Sequence, residues 1–145
     1  MKHNAHEELH DNEIQTALSD DSRENEVSAM ILDSAFKIHR MYGPGLLESA
    51  YEHLLCYELS HVKNLKVERQ KTLPILHETV LIDAGYRLDL VVENCVIVEL
   101  KCVEKILPIH QAQLMTYLRL SEIRLGLIVN FNTRMLKEGI KRMVV

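Results

Sequence analysis

Paired cysteines, long apolar runs and a strong excess of basic residues are all missing from this sequence. Three Cys occur among 145 residues, an odd number with no C-x-x-C pair. That argues against a disulfide framework and against a Cys-based zinc site. Cys56, Cys95 and Cys102 read instead as buried, reduced thiols of a cytoplasmic protein. No apolar run approaches the roughly 18 residues needed to cross a bilayer, so no membrane is expected as a partner. The first ten residues, Met1 to His10, are polar, which predicts no secretory signal. There is no internal repeat and no low-complexity tract.

What is present has the proportions of one soluble domain, with 47% hydrophobic and 26% charged residues. The net charge of -4 is unevenly spread. Residues 1 to 26 hold eight acids and two bases, and the remainder holds 13 acids and 15 bases. An acidic tail is thus attached to a slightly basic body. That body is compatible with nucleic acid, but charge alone does not indicate DNA. Residues 1–21 lack the apolar content for a core and read as a disordered or loosely helical tail. Residues 22–145 read as a single domain. His3, His6 and His10 read as part of the mobile tail rather than as metal ligands.

A helix is expected to start near Asp21 to Asn25, where Asp21 and Glu24 form an acidic variant of the capping box. Val27, Met30, Ile31, Ala35 and Ile38 then make one apolar stripe, and Gly43-Pro44-Gly45 stops it. A second helix is expected from about Leu46 to Val62, ended by Asn64 in the left-handed conformation. The period then changes to two. Val67–Lys71, Leu73–Val80, Tyr86–Val92 and Cys95–Cys102 read as strands. Pro108 opens a third helix to about Leu120, and Leu125–Phe131 reads as a buried strand. A last helix is expected over about Thr133–Met143, with Leu136, Ile140 and Met143 on one face. Arg134, Lys137 and Lys141 form a basic stripe on another face, more often solvated than a phosphate track. The order α-α-β-β-β-β-α-β-α implies an α/β fold, a mixed sheet flanked by helices.

The hairpin from Tyr86 to Lys101 carries the chemistry. A three-residue loop, Glu93-Asn94-Cys95, pairs residues whose numbers add to 188. Leu88 then faces Leu100, Leu90 faces Val98 and Val92 faces Val96, all apolar pairs that belong in a core. On the opposite face Asp89 lies across from Glu99, with Lys101 two residues along. Two carboxylates held about 5 Å apart by cross-strand pairing repel each other. A divalent cation resolves that repulsion, and oxygen ligands favour Mg²⁺ or Mn²⁺. An adjacent Lys can orient a metal-bound water, which makes a phosphodiester hydrolysis site. The competing reading is an exposed sheet face with Lys101 in a salt bridge to Asp89 or Glu99.

Three further groups carry a family resemblance. Gly45-Leu46-Leu47-Glu48-Ser49-Ala50-Tyr51 is similar to the signature of the GxxExxY family. Tyr86-Arg87-Leu88-Asp89 and Val98-Glu99-Leu100-Lys101 resemble the two halves of the PD-(D/E)XK nuclease motif. Gln113-x-x-x-Tyr117 is similar to the helix motif of RecB-like nucleases. Leu88 stands where the motif's name has Pro, and Asn64 stands where the GxxExxY family usually has Gly.

The resemblance implies a restriction-endonuclease-like core and a Mg²⁺-dependent or Mn²⁺-dependent nuclease acting on nucleic acid, DNA before RNA. It implies that Asp89 and Glu99 ligate the metal, with Glu48 adding a carboxylate to the metal or its water and the Leu100 carbonyl a further ligand. Lys101 would position the nucleophilic water. Gln113 and Tyr117, one helical turn apart, would steady Lys101 or a substrate phosphate. Tyr51, three residues after Glu48, would hold it. Blander readings stand beside these. Glu48 could simply favour the helix N-terminus, Tyr117 could be core, and His110 could be a surface residue at a helix start.

The alternative function is a non-catalytic nucleic-acid-binding or assembly module that keeps the nuclease fold. The small size and modest basic charge favour it. A homodimer or protein partner would then supply grip on the nucleic acid. In a third reading, the acidic tail occupies the protein's own basic cleft as a DNA mimic.

Overall fold

The computed structural model describes residues 5–145, with side chains from Ser22 onward. The reading of His3, His6 and His10 therefore lies outside the described side chains. Helix α1 spans Ala5–Tyr42 without a break. It runs through Asp21 and Asn25, where the capping pattern predicts a start. The Glu, Ala, Leu and Gln of its first half are good helix formers and need no boundary there. The predicted stripe is buried: Val27, Ile31, Ala35 and Ile38 are no more than 2% exposed. Gly43 ends the helix with φ +64°, and its N–H closes on the His39 carbonyl at 2.8 Å.

Helix α2 spans Glu48–Tyr57 and continues as a π-helical turn over Glu58–Val62. Asn64 follows at φ +56°, the left-handed residue that the sequence places there. Strand β1 (Val67–Thr72) comes next, then a hairpin of β2 (Ile75–His77) and β3 (Val80–Ile82). The single strand expected over Leu73–Val80 is therefore two. The chain turns at Glu78, which adopts φ +54°. Strands β4 (Arg87–Val92) and β5 (Val96–Lys101), helix α3 (Pro108–Ser121) and strand β6 (Leu125–Asn130) follow as expected.

The last expected helix does not form. Leu136–Gly139 make one 3₁₀ turn, and β7 (Ile140–Val144) pairs antiparallel with β6. Ile140 and Met143 fit a helical spacing, but β6 would otherwise leave a row of backbone donors and acceptors unpaired. Arg134, Lys137 and Lys141 consequently lie on a loop, the 3₁₀ turn and an edge strand. They are exposed but form no common helical stripe.

The five-stranded sheet has the order β1-β4-β5-β6-β7, with β5 and β6 parallel and the other neighbours antiparallel. The crossover between the parallel pair is α3, which packs so closely that a Cβ on Gly126 of β6 would lie 2.8 Å from Leu114. Helices α1 and α2 cover one sheet face, in a cluster with Leu90, Val92, Val96, Val98 and Leu100. Helix α3 covers the other, where Leu114, Tyr117 and Leu118 meet Leu88, Val91 and Ile97. This is the mixed α/β arrangement of a restriction-endonuclease-like core. Leu88 is a correction, since it joins the α3 side rather than the side of Leu90.

Cys56, Cys95 and Cys102 are free and partly buried. Burial pushes the Cys95 and Cys102 thiols up, so they stay protonated near neutral pH. No described helix is long and apolar enough to cross a membrane.

Candidate active site

The β4–β5 hairpin keeps the predicted register at its closed end. Val92 pairs with Val96, Val91 with Ile97 and Leu90 with Val98. Glu93 and Asn94 adopt φ +52° and +54°, and the Cys95 N–H returns to the Val92 carbonyl at 3.0 Å. These are the two left-handed residues of a type I′ turn. Beyond Leu90 the ladder stops. Leu100 donates its N–H to Asp89 Oδ2 at 2.9 Å, and Asp89 donates its own N–H to Glu99 Oε1 at 3.2 Å. Two carboxylates have taken the place of two backbone carbonyls. The strands part there, which is why Leu88 leaves the side of Leu90.

The consequence is electrostatic. Glu99 is 7% exposed and stands against Asp89. Burial, and next the Asp89 charge, push its carboxyl up to about 9. Glu99 therefore keeps its proton near neutral pH. Lys101, at the end of β5, lowers the carboxyls of both Glu99 and Glu48 by its charge, so it lies within electrostatic reach of each. Among the described residues it forms no ion pair within 4.0 Å, so the cross-strand salt bridge of the competing reading is not made.

Glu48 opens α2, and its Oε2 accepts the Cys102 N–H at 3.2 Å, one residue past Lys101. Burial raises its carboxyl, Lys101 opposes that rise, and Asp89 adds to it. Glu48 is thus within electrostatic reach of both Lys101 and Asp89. Tyr51 does not hold Glu48. Its hydroxyl donates to the Gly43 carbonyl and accepts the Leu46 N–H at 3.2 Å, and its ring stacks on Phe131 at 4.2 Å. It pins the Gly43–Leu46 loop, and so fixes where α2 begins.

Tyr117 projects from α3 to the same region. Burial raises its phenol most, followed by the negative charge of Glu99. Gln113 hydrogen-bonds Tyr117, and the Tyr86 ring lies 5.9 Å from the Tyr117 ring. These residues line a hollow of about 290 Å³ with Ile109, His110 and Thr116. His110 itself uses Nδ1 to accept the Leu107 N–H at 3.0 Å, capping α3.

Two residues of the site escape sequence reading. Glu52, one turn after Glu48, is 7% exposed. Gln70 of β1 donates from Nε2 to both Glu52 oxygens at 2.9 Å and to Asp89 Oδ1 at 3.3 Å. The one signal available was the i, i+4 spacing of Glu48 and Glu52, which puts both acids on one face of α2.

The donor set is all oxygen, which suits a hard divalent cation. Among the described residues, however, no three His, Cys, Asp or Glu side chains stand together closely enough to hold an ion. Asp89 and Glu99 are the two carboxylates that would hold such an ion, and Glu48 accepts the Cys102 amide.

The model of the PD-(D/E)XK nuclease superfamily matches residues 25–143 of the chain. The chain belongs to the PD-(D/E)XK nuclease superfamily. The match spans α1 from Asn25 through β7 and includes the parted hairpin, α2 and α3. Searches of curated proteins and of solved structures returned no match.

Proposed function

We propose that this member of the superfamily is a nuclease that hydrolyses phosphodiester bonds of nucleic acid, DNA in preference to RNA, with Mg²⁺ or Mn²⁺. The single observation that carries the proposal is the parted hairpin. Its two carboxylates, Asp89 and Glu99, each accept a backbone N–H across the gap, Glu99 is pushed up by burial and by the Asp89 charge, and Lys101 lies within electrostatic reach. A structural strand pair would have no reason to replace backbone acceptors with a buried, repelling acid pair. The finer placement in the GxxExxY family rests on Gly45, Glu48 and Tyr51.

Asp89 and Glu99 would hold the cation, with Glu48 reaching it directly or through water. When bound, the cation supplies positive charge that activates a water and offsets charge on the phosphate. The Lys101 ammonium orients the attacking water and stabilises negative charge as the phosphorus–oxygen bond to the leaving group breaks. Glu99 must first release its proton. Gln113 and Tyr117 line the approach and would contact the substrate backbone. We assign residues 22–145 to the nuclease domain, residues 1–21 to an acidic tail and the cytoplasm as the setting.

A second reading, a non-catalytic assembly module, has one observation in its favour. The β2–β3 hairpin exposes Leu76, Val80, Leu81 and Ile82 by 43% to 68% each. Such a ribbon suits contact with a homodimer mate or a protein partner. A cleavage screen on single-stranded, duplex and branched DNA and on RNA, with Mg²⁺ and with Mn²⁺, tests the nuclease reading. Cleavage of any of these supports it, and inert substrates throughout favour the module.

A further inference from the structure

Gln70 sits in an improbable conformation. Its φ is +52°, the left-handed region that glycine favours. An ordinary residue held there is strained, and surrounding contacts must offset the strain. The β1–β4 ladder runs in one register from Val67↔Val92 to Thr72↔Arg87 and lapses only between Gln70 and Asp89.

The offset is visible in the side chains. Adjacent strand residues normally point to opposite faces. Yet Arg69 Nε lies 3.7 Å from Glu52 Oε1, and Gln70 Nε2 lies 2.9 Å from each Glu52 oxygen. The left-handed turn lets two neighbours on one strand reach one buried carboxylate. Gln70 Nε2 also reaches Asp89 Oδ1 at 3.3 Å, while Leu100 N–H holds Asp89 Oδ2 at 2.9 Å. Both Asp89 oxygens are thereby pinned, and the plane of the carboxylate is fixed. The residue type matters. A Lys here would rival a cation for the site, and a Glu would add a third negative charge.

We propose that Gln70 is a positioning residue which, anchored on the buried Glu52, fixes the Asp89 carboxylate in the orientation that receives a divalent cation. Only the last step rests on the nuclease reading. The fixing of Asp89 is a property of the metal-free chain and has its own test.

That test is amide hydrogen exchange of the full chain without metal, followed by a Mn²⁺ titration. Gln70→Gly removes the amide and permits the left-handed φ. The Leu100 amide should then exchange about tenfold faster or more, because its acceptor swings free, while Val98 in the intact ladder keeps its protection. Mn²⁺ affinity should fall about tenfold. Glu52→Ala, which leaves Gln70 in place without its anchor, should have the same two effects. Glu52→Gln keeps an acceptor oxygen for Gln70 and should restore Leu100 protection. Unchanged Leu100 exchange in Gln70→Gly overturns the proposal. If Val98 also loses protection in that variant, Glu52→Ala against Glu52→Gln decides in its place, and equal Leu100 exchange in those two overturns the proposal. Faster Leu100 exchange in a chain whose wild type binds no Mn²⁺ upholds the positioning of Asp89 and removes the nuclease reading.

Discussion

The Asp89 carboxylate accepts the backbone N–H of Leu100 at 2.9 Å, a place that a regular hairpin gives to a backbone carbonyl. That substitution opens the sheet between β4 and β5 and puts two acids in the gap. Charge, strand geometry and the site's chemistry are therefore one feature.

A first prediction concerns pH. Glu99 holds its proton in the folded chain up to about pH 9, well above its ordinary value of 4.5. Between those values the folded chain binds more protons than the unfolded one, so metal-free stability should fall as pH rises through this window. Cation binding must release the Glu99 proton, so Mn²⁺ affinity should climb by up to about tenfold per pH unit below pH 9. Calorimetric titration near neutral pH and about one unit higher checks it. An affinity that is flat with pH contradicts the raised Glu99 carboxyl.

Asp89→Asn removes one charge of the pair. Glu99 then loses the neighbouring charge that helps to raise its carboxyl, while the Asn side chain can accept from only one of the two N–H donors that hold Asp89. The wild type should gain about 2.7 kcal/mol from cation at a hundred times its dissociation constant. The variant should gain little. Thermal melts with and without Mn²⁺ compare the two, and equal shifts in both would remove Asp89 from the metal site.

Much of this fold is legible in the sequence, and the failures have identifiable causes. The register of Leu90, Val91 and Val92 follows from apolar pairing and the short loop, both local facts. Leu88 misleads because the ladder ends before it, and that ending depends on what Asp89 and Glu99 do with backbone amides. The segment around Ile140 and Met143 fits a helix as well as an edge strand, and the open edge of β6 that decides it lies outside any local window. Glu52 and Gln70 stay hidden because their contact needs a left-handed residue within β1 and the packing of α2 over that strand. Asp89, Glu99 and Lys101 were findable because two adjacent strands hold all three.

Tyr51 gives a stability prediction. Its side chain is fully buried and its hydroxyl ties Gly43 to Leu46. Tyr51→Phe keeps the stacking on Phe131 but strands the loop's polar groups, and should cost about 1–3 kcal/mol in denaturant melts. A cost near zero would show that the hydroxyl does not fix the start of α2.

The acidic tail gives another. Residues 1–21 carry six acids and one base. Their charge should repel phosphate backbones over roughly a Debye length, about 10 Å at 0.1 M salt. Removing them should tighten nucleic-acid binding at low salt, with the gain fading as salt rises, and should leave the fold intact. Binding titrations at low and high salt check this, and equal affinities at low salt would end the inhibitory role. Loss of folding would move the domain boundary.

The most direct test of the account is cleavage by the wild type and by Lys101→Ala, side by side, on DNA with Mg²⁺ or Mn²⁺. Lys101 is partly exposed and makes no ion pair among the described residues, so its removal should leave the melting temperature nearly unchanged. The account predicts metal-dependent cleavage by the wild type and a rate lower by about a hundredfold or more in the variant. A wild type that cuts nothing with either ion, or a variant that cuts as fast as the wild type, would contradict it.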